Sequence, residues 1–223
     1  MKVEARIVSF VVKWFFRIFL RVDLSQVYKL PMKGPLILVA NHINAIEVPV
    51  GFCELLPRPI TGFAKIESWE NPLRRYLFNL WGAIPIKRGT ADLGAFRKAM
   101  EALAAGKIMA IAPEGTRSYD GSLAVGNAGV IMLAARSGAP VMPMVFYGHE
   151  KFWDNVKHFR RTDFRLAFGP SFTVDKGATG KDVRQQATNE IMYQLAKLLP
   201  PEQRGLYSDL NQATTQFIKF VDN

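Results

Sequence analysis

The chain opens on an apolar stretch broken by cations at helical intervals. Residues 1–22 read MKVEARIVSFVVKWFFRIFLRV. At about 100° per residue, Lys2, Arg6, Lys13, Arg17 and Arg21 fall within an arc of roughly 100°. Val3, Ile7, Phe10, Val11, Trp14, Phe15, Phe19 and Leu20 cover most of the remaining surface. The pattern predicts a very apolar helix with one cationic stripe. Further on, short apolar runs alternate with longer helical ones. The runs at 36–40, 60–64, 83–87, 108–112, 141–147 and 164–168 have the length of strands. Helical spacing recurs over 49–56, 72–80, 91–105, 127–137 and 181–199, and again near 208–221. Gly106 and Gly138 stand where two of these helices should stop, and Gly180 marks a further break. Strands separated by helices of this length imply crossover units. The expected class is α/β, with a largely parallel central sheet flanked by helices. The expected division is an N-terminal helix within 1–26, a domain over 27–200 and a tail helix within 201–223.

Composition narrows the chemistry. A chain of 223 residues is long enough for one sizeable core, and 49% apolar residues argue against disorder. Cys53 is the sole cysteine, so no disulfide forms within the chain and a reducing compartment fits. With three histidines and no metal-type spacing, no metal site is expected. The net charge of +10 suits nucleic acid, an anionic membrane or a phosphorylated substrate. Charge position favours lipid. In the opening segment the cations are threaded through Phe and Trp, which suits a helix lying in a membrane interface. Lys13, Arg17 and Arg21 would face headgroups, and Trp14 would sit near the boundary. The same cations interrupt the apolar run, against a signal peptide or a spanning segment. A terminal helix docked on the domain's own core is the alternative, and a tilted span is a third. No zinc-finger spacing or RNP-like strand supports a nucleic-acid partner. The expected location is peripheral or monotopic, on the cytoplasmic face of a membrane.

In a parallel sheet, ligands gather outside the carboxyl ends of the strands. Four strand ends in a row carry polar groups: Asn41-His42, Lys65-Ile66-Glu67, Arg88-Gly89 and Pro113-Glu114-Gly115-Thr116-Arg117-Ser118. Parallel strands would line one crevice with all four. In LVANHINAIEVPV, Pro49 places a helix start near itself and makes 41–46 a turn, with Glu47 at the helix mouth. From there Glu47 could reach a ring nitrogen of His42, fix its tautomer and stabilise an imidazolium. Read alone, the pair stays open: Glu47 also suits a first-turn acid at the helix dipole, and His42 a satisfied loop histidine. In APEGTRS, Gly115 permits close backbone approach, Arg117 offers a planar fork for phosphate, and Thr116 and Ser118 offer hydroxyls. Glu114 would orient a hydroxyl or hold Arg117. A tight turn with a local ion pair is the plain alternative. There is no GxSxG elbow, P-loop or GxGxxG.

Together these residues resemble the glycerolipid acyltransferase family, the PlsC-type 1-acyl-glycerol-3-phosphate acyltransferases. The blocks are NHINAIE, GAIPIKRG, APEGTRS and APVMPMVFYG, strongest over 35–148 and looser to about residue 199. The resemblance implies that 27–200 is an acyltransferase domain with that family's αβ fold. It implies His42 as general base, oriented by Glu47, deprotonating a hydroxyl that attacks an acyl thioester. Lys65 at the neighbouring strand end, with Arg88, Glu114, Gly115, Thr116 and Arg117, would hold the acceptor, and Pro143 would help shape the acyl region. A membrane-associated N-terminal element is usual in such relatives. No cofactor is implied; acyl-CoA or acyl-carrier protein serves as co-substrate, and the acceptor is lysophosphatidic acid or a similar lyso-lipid. The sequence departs from the family at three points. Glu47 stands where aspartate is usual, Asn44 where serine is frequent, and AVGNAGV lacks a customary basic residue. At position 47, Asp is expected to retain substantial activity and Ala little. The alternatives are a non-catalytic lipid-binding relative and an enzyme for a phosphate-free lyso-lipid or glycolipid acceptor.

Overall fold

The computed structural model describes residues 3–118, 120–178 and 180–221. In chain order the elements are α1 (Val3–Phe19), β1 (Leu20–Asp23), β2 (Leu36–Ala40), α2 (Glu47–Glu54), β3 (Ile60–Lys65), α3 (Pro72–Trp81), β4 (Ile84–Ile86) and α4 (Leu93–Ala104). Then follow β5 (Ile108–Ile111), α5 (Gly129–Ser137), β6 (Val141–Tyr147), α6 (Phe152–Lys157), β7 (Thr162–Phe168), β8 (Phe172–Val174), α7 (Lys181–Ala196) and β9 (Ile218–Phe220).

The strands form one sheet in the order β1-β7-β6-β2-β5-β3-β4, with β8 joined to β6 and β9 joined to β8. From β6 across to β4 every pairing is parallel; β7, β8 and β9 add the antiparallel ones. The sheet is buried on both faces, as the uninterrupted apolar run of β2 requires. Side chains alternate across it. Ile37 and Val39 join a core with residues of α4, α5 and α7, whereas Leu36 and Leu38 face α2 together with Phe16 and Phe19 of α1. Helix ends follow local chemistry. Asn71 caps α3 by accepting from Arg74 N at 3.0 Å, with Pro72 in the first turn. Asp92 caps α4 through Ala95 N at 2.9 Å. Gly138 closes α5 in the left-handed conformation, φ 65°.

Pro143 lies in a central strand, where a missing N–H is usually excluded. Here β6 pairs with β7 up to Met144 and with β8 at Val141, and Gly169 N donates to the Pro143 carbonyl at 2.9 Å. The absent donor therefore falls where β7 hands over to β8.

Three expectations change. The opening helix stops at Phe19, and the next four residues form edge strand β1, parallel to β7. Arg161 from the α6–β7 connection donates to the Arg17 and Leu20 carbonyls at 3.0 and 2.7 Å, satisfying acceptors that the helix end leaves open. The expected tail helix is absent from 208–221, which holds a short 3-10 turn at Leu210–Gln212 and then β9. The buried Glu190 carboxylate accepts from Thr214 Oγ1, Gln216 N and Phe217 N at 2.7, 2.6 and 2.9 Å, which holds that segment extended. Helix periodicity cannot register such a long-range anchor.

The cationic stripe of α1 also points elsewhere than expected. Arg17 Nε and Nη2 donate to Glu54 of α2 at 2.9 and 3.0 Å, and Lys13 Nζ lies 2.8 Å from the same carboxylate. Arg21 pairs with Asp163 at 2.6 Å. Lys2 lies outside the described residues. The helix docks through Ala5, Ser9, Val12, Phe16 and Phe19, with the Lys13 and Arg17 pairs at the rim of that contact and Ser9 Oγ accepting from Trp81 Nε1 at 3.0 Å. The rest of its apolar surface, Val3, Ile7, Phe10, Val11, Trp14, Phe15 and Ile18, is more than half exposed at every position. No described helix is long and apolar enough to cross a membrane.

Candidate active site

The parallel strands bring the polar strand ends onto one edge of the sheet. Strand β2 lies between β5 and β6, so the chain after His42 is flanked by APEGTRS on one side and by Gly148-His149 on the other. Residues 41–46 form a turn, and α2 begins at Glu47, with Pro49 tolerated in its first turn. Asn41 fixes the turn to β6, donating to the Phe146 carbonyl at 2.9 Å and accepting from Phe146 N at 2.8 Å. Asn44 Oδ1 accepts from Ile46 N at 2.9 Å, a local bond that bends the chain into α2.

His42 and Glu47 meet. His42 Nδ1 lies 2.6 Å from Glu47 Oε2. The Glu47 side chain is 2% exposed and that of His42 is 19% exposed, so the acid is interior and the base reaches the surface. Glu47 also accepts from the backbone amides of Ile43, at 2.9 and 3.1 Å, and Asn44, at 3.0 Å. Its Oε1 lies 2.6 Å from Nε2 of His149. Burial alone would raise the Glu47 carboxyl, but hydrogen bonds from His149 and His42, with their attraction, hold it below its ordinary range. The result is an ionised acid fixed on a ring nitrogen, with Nε2 of His42 as the nitrogen left to meet a ligand.

The third block touches the first. Ser118 N donates to the His42 carbonyl at 2.8 Å. Glu114, buried, accepts from His42 N at 3.3 Å and Ala124 N at 3.1 Å, so its carboxylate braces the histidine turn from below. Desolvation pushes the Glu114 carboxyl above its ordinary range. Gly115 has φ 70°, and a Cβ there would lie 3.0 Å from Asn127 Nδ2. That amide in turn bonds the Pro113 and Glu114 carbonyls at 3.2 and 2.9 Å. The glycine is thus required by both its conformation and its neighbour. Thr116 and Arg117 are exposed on the outer side of this turn.

Lys65 ends β3, and Arg88 lies in the turn two residues after the adjacent strand β4; both are exposed on the same edge. Lys65 Nζ lies 3.7 Å from Glu67. Pro143 is elsewhere, buried in mid-strand opposite Val39 of β2, in contact range of Gly169. His149 escaped the sequence reading, although a signal existed: it follows β6 as His42 follows β2, and the same strand-end rule applied to a fifth strand reaches it.

A doubly covered, largely parallel sheet places a buried acid in contact with a histidine at the carboxyl ends of its strands, beside a glycine turn that exposes Thr116 and Arg117; this is an α/β scaffold of the kind whose ligands gather at that edge. The Acyltransferase family model matches residues 21–147, more than half of the chain, and the chain belongs to that family. Its curated relatives include 1-acyl-sn-glycerol-3-phosphate acyltransferase of Borreliella burgdorferi, 28% identical over 56% of this chain and 50% of the relative. The human 1-acyl-sn-glycerol-3-phosphate acyltransferase beta is 29% identical over 67% of this chain and 56% of the relative. The chain spans about two fifths to just over half of the length of such relatives. The crystal structure of the 1-acyl-sn-glycerophosphate acyltransferase PlsC from Thermotoga maritima superposes with a TM-score of 0.62, covering 87% of this chain and 77% of that one at 22% identity. That likeness concerns the fold.

Proposed function

We propose that this chain transfers a fatty acyl group from an acyl thioester, acyl-CoA or acyl-carrier protein, to the free hydroxyl of lysophosphatidic acid or a similar lyso-glycerolipid. The observation that carries the reading is the 2.6 Å contact of His42 Nδ1 with buried Glu47. It commits one ring nitrogen to the acid and leaves Nε2 for a hydroxyl. In the proposed reaction, Nε2 takes the hydroxyl proton as the oxygen attacks the thioester carbonyl. A carbon–oxygen bond forms, and the tetrahedral adduct collapses with loss of the thiolate. The thiolate takes the proton back from His42. Glu47 stabilises the transient imidazolium. A positioned base of this kind contributes roughly 10²–10⁴ in rate.

The remaining residues take supporting roles in this proposal. Arg88, Thr116, Arg117 and Lys65 attract the acceptor's phosphate, with the Gly115 turn allowing close approach and Glu114 bracing the base. Pro143 acts on the acyl region only through the packing of β6. Relatives named for lysophosphatidic acid acylation support the acceptor class. The exposed apolar side of α1 supports work at a membrane surface, with the helix lying in the interface and its cations held by the protein rather than by headgroups. The cytoplasmic face is proposed, because acyl thioesters are formed there.

The test is a panel of lysolipids, with and without phosphate, presented in vesicles with one acyl-CoA, following release of free thiol. We expect thiol release with the phosphate-bearing acceptors and none above background in His42→Ala. Full activity in His42→Ala sinks the mechanism. Preference for phosphate-free acceptors moves the substrate away from lysophosphatidic acid. Absence of turnover with vesicle binding retained favours a lipid-binding relative.

A further inference from the structure

The geometry points to His149 as a positioning residue for this reaction, holding the Glu47 carboxylate from behind so that its other oxygen stays on His42. The inference rests on the reading of His42 as the base. Glu47 divides its two oxygens between two imidazoles, Oε2 to His42 Nδ1 and Oε1 to His149 Nε2, each at 2.6 Å. The two histidines differ in access. The His42 side chain is 19% exposed and that of His149 is fully buried. His149 cannot meet a substrate and acts through the acid.

The local chain is built to deliver that ring. Gly148, with φ 86°, turns the backbone at the end of β6. Asn44 Nδ2 and Phe152 N both donate to the His149 carbonyl, at 3.4 and 3.0 Å, which ties its backbone to the histidine turn and to α6. The ring lies 4.8 Å from that of Phe164 on β7. Its Nδ1 is buried with no hydrogen-bond partner among the described residues. An apolar ring would fill this space without leaving a polar atom unsatisfied. What the imidazole supplies and an apolar ring lacks is the Nε2–H, a charge-assisted donor to an ionised acid. With Nε2 protonated towards Glu47 and Nδ1 bare, the tautomer is set.

The longer acid and the second histidine belong together. A glutamate has one more rotatable bond than the aspartate usual in the resembling family, hence more ways to leave the base. The amides of Ile43 and Asn44 hold it on one side. His149 holds it on the opposite strand end and fixes the plane of the carboxylate. In this arrangement Glu47 is a positioned acid in spite of its length.

The experiment compares wild type, His42→Ala, His149→Phe, His149→Gln, Glu47→Gln and the double variant Glu47→Gln/His149→Phe. The assay uses lysophosphatidic acid vesicles and acyl-CoA, with thermal melts of each protein. We expect His149→Phe to lower kcat about 10- to 100-fold with KM within about twofold, as for residues that orient a reacting group from behind. Gln places an amide N–H near the position of Nε2 and should recover most of the loss. In the Glu47→Gln background, His149→Phe should cost less than about twofold, since two residues acting as a unit are not additive. Full kcat in folded His149→Phe, or an undiminished cost in the Glu47→Gln background, overturns the proposal. Should His149→Phe fail to fold, His149→Asn replaces it, because its shorter amide cannot reach Glu47; equal activity of the Asn and Gln variants overturns the proposal equally. A readout independent of turnover is the downfield proton resonance of the His42–Glu47 bond. It should survive in His149→Gln and vanish in His149→Phe. An unchanged resonance in folded His149→Phe refutes the positioning role even if wild type transfers no acyl group, whereas that inactivity alone counts against the proposed function.

Discussion

Arg17 lies fork to fork on Glu54, its Nε and Nη2 at 2.9 and 3.0 Å from the two carboxylate oxygens. With Lys13 on the same acid, this contact decides which side of the first helix meets the protein. Two cations on one buried acid hold one flank of the helix, Phe16 and Phe19 enter the core beside it, and Phe10, Trp14 and Phe15 are left facing out.

Removing the cations should therefore hurt more than removing the acid. The Lys13→Ala/Arg17→Ala double variant leaves Glu54 buried and unpaired, which costs about 3 kcal/mol of stability. Glu54→Ala costs about 1–2 kcal/mol, because Lys13 and Arg17 are about a third exposed and can turn to solvent. Urea unfolding measures both. Equal costs would mean that the pair is not what seats α1.

Vesicle binding should depend on the apolar side. Each aromatic side chain buried in lipid contributes roughly 1.5–3 kcal/mol, so replacing Phe10, Trp14 and Phe15 by Ser should weaken binding at least about 100-fold. Flotation with anionic vesicles reports this. Binding that survives the triple substitution but is abolished by salt would assign attachment to the +10 charge instead.

Glu47 should make stability sensitive to acid. Its folded-state carboxyl titrates below its ordinary value of 4.5. A depressed acid contributes stability that is fully present above its unfolded value and is lost as pH falls through the folded one. The contribution of the Glu47 charge, read as the difference in unfolding free energy between wild type and Glu47→Gln, should thus shrink as pH falls below about 4.5. A difference independent of pH would show that the two histidines do not hold a charge there.

The structure revises what Asp at position 47 should do. The family resemblance, with aspartate usual at this position, suggests that Asp is tolerated. The carboxylate, however, serves two imidazoles and two amides at once. Asp withdraws it by about 1.5 Å, one carbon–carbon bond. A displacement near 1 Å costs about 10²-fold in rate when geometry sets the barrier. Glu47→Asp should therefore fall towards Glu47→Ala, as steady-state kcat will show.

Cys53 should be silent towards thiol reagents. Burial pushes its thiol up to about 12, and it is 2% exposed. Alkylation near pH 8 should label it only after unfolding, so a thiol-release assay reads the acyl donor alone. Rapid labelling of the native protein would show that the α1–α2 packing opens.

The sequence by itself determined six of the nine described strands, β2 to β7, their alternation with helices and the polar strand ends, because burial on two faces and helix punctuation leave local traces; β1, β8 and β9 left none. It also brought His42 and Glu47 within reach, since Pro49 fixes where α2 can begin. What it left open was every decision made between distant segments. Only tertiary structure could place His149 on Glu47, 102 positions away. Only it could draw the tail into a strand through Glu190, and turn the cations of α1 towards Glu54, 37 positions on. A helical wheel gives the angle between two faces and not which of them is inside. That choice is made by distant partners, because the buried Glu54 carboxylate must find its cations and the core takes Phe16 and Phe19, while Phe10, Trp14 and Phe15 can be left for lipid.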